Sequence, residues 1–142
     1  MKISIIKEYN EEISKFLFNL RNKNFVRRSS LSKTKIKLHQ HKTWIKKFFK
    51  RKNILYVVRI KDKPVGYIRM EKNRNYFDVS WALEKKYQGK GIAKKFLKTV
   101  TKKRLKLRAI IESNNLVSLN IAKYSDFKIK ISKEKLLYLY KN

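Results

Sequence analysis

The sequence predicts an α/β fold in which a mixed sheet carries helices on its faces. Runs of β-branched and aromatic residues alternate with amphipathic helical patterns along the chain. A chain of 142 residues, 42% of them hydrophobic, is long enough to bury one core and too short for two ordinary domains. With three glycines and one proline, no stretch has the composition of a linker. We therefore expect a single domain over residues 1–142.

The first part of the chain predicts one strand and two helices. Residues 2–7 form a short β-branched run, and Asn10 offers an N-cap ahead of apolar residues at helical spacing over 13–20. Residues 21–37 are polar and irregular, and residues 38–49 then have the pattern of a second amphipathic helix. Because long irregular segments in compact domains are often functional, residues 21–37 are a candidate binding segment.

The middle of the chain predicts an antiparallel meander of three strands. Residues 54–60 and 65–70 have strand composition on either side of a four-residue turn, 61–64. Residues 77–83 return after a further turn and alternate with a period of two. This alternation places three side chains on one face of the sheet: Asp78, Ser80 and Ala82.

The last part of the chain predicts alternating helices and strands. A helix from Ile92 to Leu105 precedes a strand over 107–112, a helix over 115–125 and two closing strands, 127–131 and 136–140. The complete order is β-α-α-β-β-β-α-β-α-β-β, which is that of a mixed sheet with helices on its faces.

The formal net charge of +29 is extreme for a chain of this length. A field of that sign concentrates polyanions such as nucleic acid, anionic membrane or nucleotide phosphates near the surface. The alternative is codon bias toward lysine at solvated positions. The basic residues are scattered between apolar ones, whereas a nucleic-acid arm gathers them into a block, which argues against a nucleic-acid partner.

Cysteine is absent, so disulfides, a thiol nucleophile and thiolate metal sites are excluded. We expect no bound metal. The N-terminus becomes charged before an apolar run of signal-peptide length develops, and no later run approaches a membrane span. The sequence thus predicts a cytoplasmic protein without a membrane partner, present as a monomer or a homodimer.

A glycine-containing loop lies between a predicted strand and a predicted helix. Backbone N–H groups converge at such a helix N-terminus, where the helix dipole also favours an anion. Glycine permits unusual dihedral angles and a close backbone approach. The segment is therefore a candidate cradle for a phosphate group, and it consists of Gln88, Gly89, Lys90, Gly91, Ile92 and Ala93.

The loop matches the pattern Gln/Arg-x-x-Gly-x-Gly/Ala through Gln88, Gly91 and Ala93. Asn115-x-x-Ser118 follows downstream, with the aromatic Phe127 twelve residues after the Asn. Together with the element order, these motifs resemble the GNAT superfamily of acetyltransferases over the whole chain. The resemblance implies a mostly antiparallel sheet of six or seven strands, flanked by four helices and splayed between its fourth and fifth strands.

The same resemblance implies that the cofactor is acetyl-coenzyme A (acetyl-CoA). Its pyrophosphate would lie on the glycine loop, residues 88–93, and its pantetheine arm between the splayed strands. Backbone groups near Trp81, Ala82 and Leu83 would pair with that arm, and Asn115 and Ser118 would lie against it. The implied activity is N-acetyltransfer to a primary amine, and without a cysteine the transfer is direct, which requires a ternary complex.

Candidate catalytic residues come from the resemblance and from their chemistry. Many relatives carry an acidic residue on the fourth strand that accepts the proton of the amine, and Asp78 occupies that place; the alternative is a solvated Asp paired with a lysine. His41 could relay the same proton, since its intrinsic pKa is near neutrality. The usual Tyr seven residues after Asn115 is replaced by Ala122, and Tyr124 is the nearest tyrosine.

The acceptor is suggested by a further pattern: Leu20-Arg21-Asn22, Val26-Arg27, Ser29-Ser30 and His41-x-x-Trp44. It resembles GNAT members that acetylate amino groups of nucleotide-activated sugars, such as the UDP-4-amino sugar of the pseudaminic acid pathway. Arginines at 21, 27 and 28 offer planar donors to a diphosphate, and Trp44 could stack on a base or sugar. Under this interpretation the substrate-binding residues are Arg21, Asn22, Arg27, Arg28, His41 and Trp44.

Two alternatives remain open at this point. One is a GNAT enzyme that acetylates a protein N-terminus, a lysine or another small amine. The other is a non-enzymatic basic module that binds nucleic acid. A polyamine acceptor is disfavoured, because a strongly positive protein repels a polycation.

Overall fold

The computed structural model describes residues 1–102 and 105–142. Seven strands form one open sheet in the order β1-β2-β3-β4-β5-β7-β6. Neighbouring strands are antiparallel except for the parallel pair β4 and β5. The strands are β1 (Lys2–Ile6), β2 (Ile54–Ile60), β3 (Lys63–Asn73), β4 (Tyr76–Leu83), β5 (Leu107–Glu112), β6 (Lys128–Lys133) and β7 (Leu136–Lys141).

The helices flank this sheet as predicted, with one short helix in addition. None of the helices in the described residues is both long and apolar enough to cross a membrane. The helices are α1 (Glu11–Arg21), α2 (Asn24–Ser29), α3 (Leu38–Lys50), α4 (Ile92–Val100) and α5 (Leu116–Tyr124), and a 3₁₀ turn covers Lys85–Tyr87.

Helix α1 begins where the sequence predicted it. The side chain of Asn10 accepts a hydrogen bond of 3.0 Å from the amide of Ile13, which satisfies one of the donors left free at a helix start. The negative charges of Glu11 and Glu12 in the first turn stabilise the helix by interacting with the positive end of its dipole. The buried residues of α1 recur at helical spacing, so one stripe of the helix faces the sheet.

The two faces of the sheet carry separate apolar clusters. Helices α1 and α3 pack on one face, where Tyr67 and Ala82 are buried. Helices α4 and α5 pack on the other face, where Val79 and Leu83 are buried. The predicted alternation along β4 is therefore confirmed, because Ala82 faces α1 and α3 while its odd-numbered neighbours face α4 and α5.

The turn between β2 and β3 is shorter than predicted. The strands pair up to Ile60 and Lys63, which leaves a turn of two residues, Lys61 and Asp62, both with positive φ (51° and 65°). Two-residue turns with this geometry match the twist of the flanking strands, whereas the prediction relied on Pro64 as a turn residue. The prediction of a turn over 61–64 is wrong, and Pro64 lies within β3.

Two further local predictions are corrected by the structure. Helix α2 forms within the segment 21–37, which was predicted to be irregular; six residues are too few to show a helical period, and the burial of Val26 stabilises them. The helix predicted from Ile92 to Leu105 ends at Val100. Leu105 packs against the apolar cluster from outside that helix.

Candidate active site

The sheet is splayed between β4 and β5. The two strands pair through Phe77 with Leu107 and through Asp78 with Arg108, at the start of each strand. Farther along, residues of both strands line one cavity, so the strands have moved apart. This confirms the splay that the resemblance implied, and it opens a cleft in the middle of the sheet.

Backbone groups of β4 face the cleft. The amide of Phe77 donates to the carbonyl of Lys106, before β5, over 2.8 Å. Because alternate residues of a strand direct their N–H and C=O groups to the same side, the backbone groups of Val79 and Trp81 point into the opening. The splay thus presents strand-type donors and acceptors to whatever occupies the cleft.

One end of the cleft is a cavity of about 580 Å³ beside the glycine loop, which we call the glycine-loop chamber. Lys90, also predicted to bind the cofactor, is not among the residues that line this chamber. Its Nζ lies 5.9 Å from the ring centroid of Tyr87. The predicted cofactor-binding residues that line the chamber are Trp81, Ala82, Leu83, Gln88, Gly89, Gly91, Ile92, Ala93, Asn115 and Ser118.

The glycine loop has the backbone geometry of an anion cradle. Gly89 and Gly91 have φ of +74° and +77°, in the left-handed region that favours glycine. Gly91 is the N-cap of α4. A Cβ built at either glycine would meet no other group within 4 Å, so the bare backbone faces open space at the start of a helix. These features fit a bound phosphate group.

Gln88 ties the glycine loop to the end of β4. Its Nε2 donates a hydrogen bond of 3.0 Å to the carbonyl of Leu83. The side chain therefore positions the loop. Arg28, predicted to bind the acceptor, instead lines the glycine-loop chamber from α2.

Asn115 has a structural role as well as a place in the cleft. Its Oδ1 accepts a hydrogen bond of 3.2 Å from the amide of Ser118 and so caps α5. Both residues line the cleft where its two cavities meet. A single side chain thus fixes the start of α5 and one wall of the cleft.

We expect Asn115→Ala to lower stability by about 1 kcal/mol through loss of the cap and also to raise the KM for acetyl-CoA. Asn10→Ala is the matched control, since the side chain of Asn10 likewise accepts from the amide three residues on and caps α1. Urea unfolding and initial rates measured on both variants separate the two effects. Equal KM values in the two variants would show that Asn115 acts through the cap alone.

The other end of the cleft is a cavity of about 450 Å³, which we call the arginine chamber. Its wall includes four arginines and two carboxylates: Arg21, Arg27, Arg69, Arg108, Glu71 and Asp78. The two chambers share a set of lining residues, Ser29, Ser30, Trp81, Asn115 and Ser118, and therefore adjoin one another.

Asp78 lies in the arginine chamber at the point where β4 and β5 separate. Its carboxylate accepts hydrogen bonds from Arg108 Nε at 2.7 Å, Arg108 Nη2 at 3.1 Å and Asn73 Nδ2 at 3.0 Å. The bonds between Arg108 and Asp78 raise the pKa of Arg108 above its ordinary value. A carboxylate has about four acceptor positions, so one position remains without a partner among the described residues.

Arg21 and Trp44 are in contact beside the arginine chamber. The guanidinium carbon of Arg21 lies 4.3 Å from the centroid of the Trp44 ring. Trp44 also packs against Phe48 in the α1–α3 cluster, with ring centroids 5.3 Å apart. The structure therefore places Trp44 as the support of an arginine, while Arg21 itself lines the chamber.

Asn22 and Arg27 hold the segment between α1 and α3 in place. The side-chain Nδ2 of Asn22 donates to the backbone carbonyl of Ile36 over 2.8 Å, and its Oδ1 accepts from the backbone N–H of Ile36 over 2.7 Å. Arg27 lines the chamber but donates to the carbonyl of Asn22 and the side chain of Asn24. Both were predicted to bind substrate, and their polar groups are largely occupied by the segment itself.

His41 does not reach the cleft. It is buried between α1 and α3, and its Nε2 donates to the carbonyl of Ser14 over 2.9 Å. Burial, together with the charge of Arg21, lowers the pKa of His41 to about 4. Its Nδ1 is buried without a hydrogen-bond partner in the described residues. This placement makes His41 a neutral core residue, and neither proton relay nor substrate contact follows from it.

Comparison with protein families identifies the chain. The model of the acetyltransferase (GNAT) domain matches residues 6–128. The chain belongs to the GNAT acetyltransferase family. The expected class of enzyme, an acetyl-CoA-dependent N-acetyltransferase, is thereby confirmed, and the alternative of a non-enzymatic module is not retained. None of the curated proteins matches the sequence.

Solved structures share the fold of this GNAT domain at low sequence identity. Ribosomal-protein-alanine N-acetyltransferase from Brucella melitensis is 19% identical, with a TM-score of 0.77 and 99% of each chain covered. Spermidine N-acetyltransferase from Vibrio cholerae, in complex with CoA and spermine, is 13% identical, with a TM-score of 0.78 and coverage of 97% and 92%. Campylobacter jejuni N-acetyltransferase PseH, in complex with acetyl-CoA, is 15% identical, with a TM-score of 0.71 and coverage of 98% and 96%.

The end of α5 departs from the GNAT pattern in two places. Ala122 stands at the expected tyrosine position and is fully buried. Tyr124 is 47% exposed, and its ring lies 4.7 Å from Lys98 Nζ on α4, away from both chambers. The structure therefore does not bring Tyr124 to the cleft. Asp126 stands immediately before the aromatic Phe127, where the family pattern has a glycine, and it adopts the left-handed conformation, φ 69°, of a helix C-terminus.

Several GNAT-cleft residues were missed by sequence reasoning. Arg69, Glu71 and Tyr67 line the arginine chamber from β3, and Arg108 from β5. The signal that could have found the first three is the β3–β4 register, since Arg69 pairs with Ser80 and its Nε donates to that hydroxyl over 2.7 Å. The alternation along residues 77–83 predicts the faces of β4 alone and does not place the side chains of β3 in the cleft.

Proposed function

We propose that this GNAT enzyme transfers the acetyl group of acetyl-CoA to the 4-amino group of a nucleotide-activated amino sugar. The observation that carries the proposal is that the two chambers adjoin at Trp81, Asn115 and Ser118. A donor in one chamber and an acceptor in the other would meet beside the free backbone groups of β4. A direct transfer needs this kind of proximity.

The glycine-loop chamber fits the donor. Gly89 and Gly91 offer bare N–H groups at the start of α4 to a pyrophosphate. The backbone of Val79 and Trp81 is available to the amide groups of the pantetheine arm and to the oxygen of the acetyl carbonyl. When bound, acetyl-CoA supplies the activated acetyl group as a thioester.

The arginine chamber fits an anionic acceptor. Its four arginines exceed its two carboxylates, and Asp78 and Glu71 each contact one arginine. An excess of guanidinium groups favours a diphosphate, whose oxygens match the planar fork of donors. The same excess disfavours a polyamine. These features support a nucleotide sugar over a cationic substrate.

Asp78 is proposed to hold the acceptor amine. The free acceptor position of its carboxylate can receive a hydrogen bond from the amine or its ammonium form, and the negative charge stabilises the positive nitrogen produced by the attack. Three hydrogen bonds already occupy this carboxylate, so we propose that water carries the proton onward. Water also serves as the acid, since Ala122 replaces the tyrosine.

We expect Asp78→Asn to lower kcat/KM for the amine about tenfold, which corresponds to ~1.4 kcal/mol. The amide loses the negative charge and leaves Arg108 without its ion pair. Asp62→Asn is the control, because it makes the same change in an exposed turn at positive φ, where asparagine is tolerated. Initial rates at saturating acetyl-CoA give the comparison. If both variants retain wild-type rates, Asp78 has no part in acceptor binding.

The acceptor proposal is tested by release of free CoA thiol from acetyl-CoA. The panel comprises a UDP-4-amino sugar, the same amino sugar without the nucleotide, peptides with free N-termini, lysine and spermidine. We expect the highest kcat/KM for the nucleotide sugar. Activity confined to peptides would support the alternative in which a GNAT enzyme acetylates a protein N-terminus. Activity confined to spermidine would contradict the argument that the excess of arginines in the chamber disfavours a polyamine.

A further inference from the structure

Two arginines of the arginine chamber converge on one tryptophan. The guanidinium carbons of Arg21 and Arg69 lie 4.3 Å and 5.3 Å from the centroid of the Trp44 ring. Arg21 comes from the end of α1 and Arg69 from the middle of β3. An aromatic face attracts a cation, and here one ring serves two of them.

The hydrogen bonds of these two arginines are unequal. Arg69 donates to Ser80 Oγ over 2.7 Å and pairs with Glu71 over 3.2 Å. Nη1 of Arg21 is buried and has no hydrogen-bond partner in the part of the chain that the structure describes. Burial, and then the charge of Arg69, lower the pKa of Arg21 to about 10, so the group is charged at neutral pH. Glu71 therefore pairs directly with Arg69, and its charge reaches Arg21 only at longer range.

A buried donor without a partner costs free energy, and a second positive charge nearby adds to that cost. An oxyanion between Arg21 and Arg69 would accept hydrogen bonds from guanidinium groups that line the chamber and would offset their two like charges. The chamber is open to a ligand there, because both arginines and Glu71 line it. The sequence pattern does not predict that Arg21 and Arg69 lie together, because α1 and β3 are remote in sequence.

We propose that Arg21 and Arg69, supported by Trp44, form an anion seat that binds a phosphate or carboxylate group of the acceptor. The inference rests on the proposed function in taking the arginine chamber as the acceptor side. The anion seat requires an acceptor amine that also carries an oxyanion. Glu71 occupies part of the seat in the free protein and is displaced, or shares Arg69, when the acceptor binds.

The seat is tested by the emission of Trp44 during anion titration. Trp44 is the sole tryptophan in a Trp81→Phe background, since the chain has two. Saturating CoA keeps the glycine loop from binding the probe. Pyrophosphate tests the phosphate source and succinate the carboxylate source, each against sodium chloride at equal ionic strength. We expect a saturable change in emission with at least one probe, and the effective probe identifies the source.

Four variants make the test specific. Arg21→Gln and Arg69→Gln should each weaken the effective probe at least tenfold, and Glu71→Gln should tighten it, because the competing carboxylate is removed. Arg51→Gln, which removes an exposed charge at the end of α3, should change nothing. If Arg21→Gln does not fold, Arg69→Gln and Glu71→Gln still decide the question.

The inference is overturned if neither probe gives a saturable change, or if the chamber variants respond like Arg51→Gln. An enzyme that acetylates the nucleotide sugar while Trp44 ignores both probes would overturn the anion seat alone. Intact anion binding with no acetylation of the nucleotide sugar would overturn the proposed acceptor alone.

Discussion

Replacement of Gly91 by valine is expected to raise the dissociation constant of CoA about 100-fold, which corresponds to ~3 kcal/mol. Gly91 has φ of +77° and caps α4. A β-branched residue is strained in this left-handed conformation and draws the backbone out of it. Each hydrogen bond between a backbone N–H and a charged oxygen contributes about 1.5–3 kcal/mol, so loss of one or two of them accounts for the expected effect.

Calorimetric titration with CoA gives this dissociation constant, and Asp62→Val provides the control. Asp62 also has a positive φ, 65°, but lies in the turn between β2 and β3. Valine there imposes comparable backbone strain away from the cleft, so CoA affinity should be unchanged while the melting temperature falls. If the two variants bind CoA equally well, the glycine loop does not hold the pyrophosphate.

Replacement of Gly66 by valine is expected to destabilise the fold by about 3 kcal/mol, at the upper end of the range for overpacking. Gly66 lies opposite Leu83 in the β3–β4 ladder. A Cβ at this position would be 2.7 Å from Leu83 Cδ1, 2.9 Å from the carbonyl oxygen of Ala82 and 3.1 Å from Val58 Cγ1. The carbonyl belongs to the backbone, so it cannot move without disturbing β4 beside the cleft.

Urea unfolding measures this loss, with Gly66→Ala as the intermediate step and Leu83→Ala as the second arm of a double-mutant cycle. The double variant Gly66→Ala/Leu83→Ala should lose less stability than the sum of the losses in the two single variants, because Leu83 makes the closest contact. Unfolding of Gly66→Val within about 0.5 kcal/mol of the parent, the usual range for surface substitutions, would show that the ladder relaxes around the added side chain.

The parts of the site that sequence reasoning predicted well are local in the chain. The glycine loop is encoded by consecutive residues between a strand and a helix, and Asn115 and Ser118 are three apart at a helix start. Their placement in one chamber needed the sheet order as well, and the resemblance to the GNAT family provided that order.

The parts that could not be predicted depend on register and depth. Arg69 reaches the cleft because β3 pairs with β4, and Arg108 because β5 runs parallel to β4 at Asp78. His41 was a plausible relay from its sequence position, but the packing of α1 on α3 buries it. Charge and helical spacing alone do not distinguish an arginine that lines a cavity from one that faces solvent.

The central claim is that donor and acceptor bind together in two joined chambers and that the acetyl group passes directly between them. The most direct measurement is the initial velocity with acetyl-CoA and the amine acceptor varied together. The account predicts intersecting lines in double-reciprocal plots, and no acetylated protein when acetyl-CoA is added alone. Parallel lines, which indicate a covalent acetyl-enzyme, or recovery of acetylated protein would contradict it.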